Sequence, residues 1–508
     1  MYADGVGRTQ ASADYGTNGG SSFTRSSTIP TRSDDILVTS TTYNDAGRME
    51  ETKDPAGMVS RSEYDDVGRQ TKVIENYVIS GTADDENRTT EFAFDADGNL
   101  KTLTAVNSTT GNQVTTYEYG TTLSDSEIAT STLLRRTKYP DSTGTSDSVE
   151  VTYNRLSQQT TITDQNGSVR TIDYDKLGRP VHDRVTALGS GVDGSVRRLS
   201  TSYEVRGMIE TQTSYDDAST STVNVVNEVE NLYNSFSQLE KQYQAHGAAV
   251  NTSTTPKIQY AYADGADNHI RMTTLTYPDG RELNYDYGST DGVNDVLSRV
   301  ESLIDDDGTT HLVDYEYLGL GSVVETDYAE ADVRYRQFDT ALSGDIYDAW
   351  DRFGRVTDCH WYDYGASASA AQIKYGYDRS SNRLYREDVK AASNSFDELY
   401  AYDGLQRLED MTRGDLNGSF DSISNKQFGQ DWSLDPLGNW SGFNEDSNGN
   451  GTNDLAQSRT SNVVNELTNI TETAGPAWAT PAYDPTGNMT TVPKPADPTG
   501  TFTATYDA

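Results

Sequence analysis

Over long stretches of the chain an aliphatic residue and two tyrosines fall at every second position. The runs are Ile258, Tyr260, Tyr262; Leu283, Tyr285, Tyr287; Val313, Tyr315, Tyr317; and Ile373, Tyr375, Tyr377. A period of two places all three side chains on one face of a strand and leaves the largely polar residues between them on the other. The pattern predicts strands with one aromatic and one hydrophilic face.

Between these runs a short phrase recurs: an aromatic, Asp or Asn, two or three variable residues, then Gly and Arg or Asn. It reads Tyr64-Asp65-Asp66-Val67-Gly68-Arg69, then Tyr174-Asp175-Lys176-Leu177-Gly178-Arg179, and Trp350-Asp351-Arg352-Phe353-Gly354-Arg355. Fainter copies start at Tyr43, Phe94, Leu434 and Tyr483, and copies with Ser or Gln in place of Gly start at Tyr153, Tyr233, Tyr377 and Tyr402. An Asp that accepts backbone hydrogen bonds, followed by a Gly able to turn left-handed, describes a three-residue hairpin corner with a bulge. Asp54-Pro55-Ala56-Gly57 is a corner of the same chemistry. Gly57 and Gly68 stand 11 residues apart, as do Gly167 and Gly178, leaving about seven residues for each intervening strand. A unit returning along the whole chain predicts an all-β array of antiparallel strands rather than separate folds.

Composition changes this picture in one respect. The chain has 508 residues, only 34% of them hydrophobic, and a net charge of -39, with a mean hydropathy of -0.73. Such values are typical of disordered chains, but those are poor in aromatics and this one has 33 tyrosines in register. A single-layer sheet, wet on both faces and held by tyrosine rings stacked across strands, needs no thick aliphatic core. The array is expected over 1–440, with an Asn/Gly/Asp-rich insertion and spacer at 441–480 and resumed repeats at 481–508, cut mid-repeat. Both ends read as cut, so the chain is expected to be part of a larger protein.

A sequence pI near 4.3 argues against nucleic acid as a partner. No segment approaches the length of a membrane span, and residues 1–5 lack the features of a signal peptide. The single cysteine, Cys359, reads as an inert thiol. The histidines, His182, His246, His269, His311 and His360, fall in unrelated repeats, and no nucleophile, zinc or phosphate-loop motif occurs. No catalytic residue is expected. Asp446, Asn448 and Asn450, followed by Gly451, are candidate calcium ligands because alternate oxygen donors open such loops. Gln457 stands where the bidentate Glu belongs, so a solvated loop is the simpler reading. Arg413-Gly414-Asp415 spells an adhesion tripeptide and is read as structural.

The tandem Tyr-Asp-x-x-Gly-Arg phrases, together with Tyr277-Pro278-Asp279-Gly280-Arg281, resemble the YD-repeat (RHS-repeat) family over about 1–440 and 481–508. The resemblance implies a β-ribbon spiralling into a shell, barrel or tube-like wall, secreted or at a cell surface, with no cofactor and no catalysis by the repeats. It also implies three alternative roles: a shell segment around a C-terminal toxin, a subunit of an extracellular fibre, or a glycan-binding adhesin. Partners would be a cargo polypeptide, a surface glycan, or further copies paired through exposed strand edges. The plug and toxin that close such shells are absent from these residues; Asp435-Pro436-Leu437-Gly438-Asn439 reads as an ordinary turn.

Overall fold

The computed structural model describes residues 1–17, 22–144, 147–221, 224–264, 270–337, 349–391, 395–494 and 497–507. His269 lies outside them. The fold is all-β. One antiparallel sheet of 34 strands runs from Tyr2–Ala3 to Leu467–Ala474, and a second sheet of three strands follows, built from Ala482–Tyr483, Met489–Lys494 and Asp497–Thr503. In the large sheet each strand pairs with its sequence neighbours; Val59–Tyr64, for example, lies between Met49–Lys53 and Gln70–Glu75. The result is a ribbon whose width is one strand and whose two rims are rows of turns. The rim reached just after each repeat tyrosine is termed the tyrosine rim, and the other the far rim.

The corners are bulged hairpins because the sequence supplies their geometry. Gly68, Gly178 and Gly354 sit at φ of 97°, 81° and 78°, a region closed to most side chains. The pairing slips by one residue at Glu63/Tyr64 and again at Asp173/Tyr174, as a bulge requires. Where Ser or Gln replaces the glycine the backbone still turns left-handed: Ser157, Ser237, Ser381 and Gln406 have φ of 62°, 68°, 72° and 64°.

Few of the described residues are buried outright. Tyr2, Ala11 and Val38 form a small apolar cluster near the start of the ribbon, and most strand residues are half-buried. A sheet one layer thick explains the low hydrophobic content. Most of the stretch 441–480, expected as an insertion and spacer, carries the ladder on, and 475–480 joins the two sheets. Trp440–Asp446, Leu455–Ser461 and Leu467–Ala474 pair in succession, because their polar side chains suit a wet sheet as well as tyrosines do. Arg413-Gly414-Asp415 lies within the strand Leu408–Leu416, with Arg413 bonded to Glu398, so the tripeptide is not displayed on a loop.

Candidate functional site

Each residue of the repeat phrase has a distinct task at the corner. At Asp65 one carboxylate oxygen accepts the backbone N–H groups of Gly68 and Arg69 at 2.8 and 2.9 Å, and the other accepts the Arg69 guanidinium at 2.8 Å. Asp175 and Asp351 hold Arg179 and Arg355 in the same way. The arginine, pinned by its own corner, covers the aromatic ring of the next unit. Arg69 lies over Phe94 at 4.5 Å, Arg179 over Tyr203 at 4.2 Å and Arg355 over Tyr377 at 4.9 Å. The tyrosine of that next unit reaches back. Its hydroxyl donates to the carbonyl two residues beyond the preceding left-handed residue, as in Tyr64 to Met49, Tyr174 to Gln159, Tyr203 to Pro180 and Tyr377 to Val356, at 2.8 to 3.0 Å.

Successive units are thus zipped by a hydroxyl bond in one direction and a cation over a ring in the other. Each such contact contributes on the order of 0.5–1 kcal/mol. This corrects the expectation that tyrosines stack mainly on one another. The rings are spaced by whole hairpins, and the arginine between them fills the gap. Two degenerate corners keep the logic with neutral pairs, Asn154 bonding Gln158 and Asn234 bonding Gln238, side chain to side chain, at 2.9 and 2.8 Å, with Gln158 also donating to the Gly178 carbonyl of the next corner; the corner after Tyr402 keeps the ion pair of Asp403 with Arg407. Burial raises the Asp65 carboxyl, but the bonds from Arg69 and Gly68 outweigh it and hold the group below the usual carboxylate range. At Asp175 the bond from the Arg179 N–H leads the same lowering.

The rims also meet each other. Among the described residues, hydrogen bonds join positions 313 to 352 apart, each between the far rim of the early ribbon and the tyrosine rim of the late ribbon. Asp34 and Asp35 pair with Arg379 and Arg352, and Asp85 accepts the Gly404 N–H. Asp54 uses one oxygen for its own turn and the other for Gln406 and Ser380 at 2.8 and 3.2 Å. Asn107 donates to Asp435 at 2.8 Å, both nearly inaccessible to solvent, and Gln113 exchanges bonds with Asn465. The backbone joins in where Thr17 donates to the Arg352 carbonyl. Gly16 is required there, since a Cβ would strike the Arg352 backbone. Further along, Asp193 bridges Asp507. The ribbon has therefore gone once round and lies against itself along a polar seam of turns.

Sequence reasoning found the corners and missed the seam. Asp54 was legible as a turn residue, but nothing local marks its second oxygen as an acceptor for Gln406. Asp435-Pro436-Leu437-Gly438-Asn439 is a turn, as expected, and also a seam element. Asp446 is buried at the end of Trp440–Asp446, where its carboxylate accepts Asn450 and Gly451 N–H groups and pairs with Lys426 at 3.3 Å. Asn448 turns to Asp454 and Asn450 faces its own loop. Among the described residues no three His, Cys, Asp or Glu side chains gather as a metal site, and no helix is long and apolar enough to cross a membrane. Cys359 is half-buried and accepts the Tyr335 hydroxyl.

No protein-family model matches the sequence, and no curated protein matches it. Among solved structures, a chain of the Photorhabdus luminescens Tc holotoxin pore is similar with a TM-score of 0.51 at 13% identity, covering 90% of this chain and 23% of that one. A chain from the crystal structure of TcdB2-TccC3 gives 0.49 at 12% identity, over 90% and 25% of the two chains. The chain thus spans about a quarter of these two chains. At such identity the likeness to the holotoxin chain establishes the fold, a long β-ribbon wall.

Proposed function

We propose that this chain is a non-catalytic wall segment of an exported YD-repeat shell whose lumen encloses a polypeptide cargo. The observation that carries the reading is the seam: a ribbon whose far rim meets its own tyrosine rim after one circuit encloses a space. Roughly two dozen strands separate the residues that meet, and at about 4.8 Å per strand a round wall would be about 35–40 Å wide. Inward side chains of about 5 Å on each side leave about 25 Å, narrower than a compact 100-residue domain with a radius of gyration of about 13 Å. The cargo such a wall suits is an extended or unfolded chain. The fold shared with the Tc holotoxin chain supports the shell over a fibre, and the repeat phrases support the family.

Electron microscopy of the purified chain tests this. Hollow rings or short tubes of about the width given above are the expected particles. Open, flat or variably curved ribbons would remove the enclosure on which the reading stands.

A further inference from the structure

We infer that the free stretch of the tyrosine rim is a docking surface for the far rim of a second copy of this chain. The inference follows from one motif position seen in two settings, and it stands whether or not the lumen holds cargo. The residue just before the left-handed corner residue is apolar along much of the rim. In the late ribbon it is Phe353, Leu405, Leu437 and Val464, all half-buried in corners that bond to the early far rim; Val463 beside the last of them approaches Gly111. In the early ribbon the same position holds Val6, Val67, Leu156 and Leu177, and these are exposed: 75% for Val67, 74% for Leu156 and 79% for Leu177. The turn itself does not need these aliphatics, since its geometry comes from the Asp and the left-handed residue.

A set of exposed aliphatic knobs along one rim marks an interaction surface. The internal seam shows what meets such corners: a row of far-rim turns bearing carboxylates. Exposed far-rim turns of that kind are present at 216–220, 277–280 and 305–309, carrying Asp216, Asp217, Asp279, Asp306 and Asp307. Opposite them the free tyrosine rim offers Arg155 and Lys176, both exposed, in the corner position that Arg352 and Arg379 use to pair with Asp35 and Asp34 at the seam. At 155 and 176 the free tyrosine rim is therefore chemically complementary to the free far rim, whereas Asp45 and Asp66 hold the same corner position near its start. The two lie on different edges, so the contact between copies is head to tail and does not close on itself.

Sedimentation of the full chain over a concentration series, at about 0.15 M salt to screen the net negative charge, reads the outcome. The wild type is expected to grow from monomer to dimer and larger stacks. The double variant Leu156→Asp/Leu177→Asp should weaken association by at least about tenfold while keeping its circular dichroism and melting temperature, since both residues lie in solvent. Arg155→Glu/Lys176→Glu should weaken it as well, and adding Asp306→Lys/Asp307→Lys should restore it in part. A wild type that stays monomeric throughout overturns the inference. So does association that both rim variants leave unchanged, which would point to pairing of the terminal strands instead.

Discussion

The corners at 175–178 and 435–438 are built to the same plan and live in different surroundings. In both, one oxygen of the leading Asp accepts two backbone N–H groups of its own turn: Leu177 and Arg179 in the first, Leu437 and Asn439 in the second. The difference lies in the other oxygen. Asp175 gives it to Arg179 of the same phrase, whereas Asp435 shares it between Asn439 and Asn107, a residue of the previous circuit. Leu177 is exposed and Leu437 is half-buried. A corner that suffices to turn the chain thus has spare valence, and the shell is sealed by spending that valence across the seam. The seal is made of turns, so neither circuit has to offer an unpaired strand edge to the other.

The sharpest test of this contrast is to remove each acceptor. Asp435→Ala strips two turn N–H groups of their partner and leaves the buried Asn107 amide unpaired, at a cost of about 3 kcal/mol. Asp175→Ala should cost clearly less, because water reaches its turn. Denaturant unfolding of the two variants compares them, with hydrogen exchange at 107–112 reporting the seam directly. Equal losses would mean that the seam adds nothing to the corner.

Acid separates the rim from the strand faces. Asp65 and Asp175, whose folded-state values lie below the usual one, contribute stability that is present above the unfolded carboxylate pKa of about 3.9 and is lost as pH falls through the folded value. Glu230, Glu325 and Glu387 sit on strands, where burial pushes their carboxyls up. Their penalty exists at neutral pH and is relieved as pH falls through the raised values. The melting temperature should therefore rise modestly as pH falls from 7 through the raised values, and drop once pH passes below the unfolded Asp value of about 3.9. A monotonic fall from neutral pH would show that the strand-face carboxylates carry no penalty.

How far the sequence announces this structure follows from the range of each interaction. The period-two tyrosines and the Asp and Gly of each phrase act within a hairpin, so strands and corners are legible from spacing alone. The link from Arg179 to Tyr203 spans a single repeat unit, and its signal was the constant order of the phrase. The bond from Asn107 to Asp435 crosses 328 positions, and neither residue differs in its local context from others that face solvent. The Asn, Gly and Asp content of 441–480 suggested a spacer because a strand is usually recognised by its buried face, and this sheet has little of one.

The smallest effect isolates backbone strain from the seam. Ser157 and Gln406 both hold the left-handed position that glycine takes elsewhere, at a strain of about 1 kcal/mol for a residue with a Cβ. Ser157 is exposed on the free rim, so Ser157→Gly should stabilise by up to about 0.5 kcal/mol once the greater freedom of glycine in the unfolded chain is subtracted. Gln406→Gly releases similar strain but deletes the bonds to Asp54 and Ser380 across and along the seam, so its net effect should be near zero or destabilising. Thermal melts of the two variants decide the matter. If Gln406→Gly stabilises as much as Ser157→Gly, the amide of Gln406 does nothing for closure, and the seam must rest on its buried and apolar members alone.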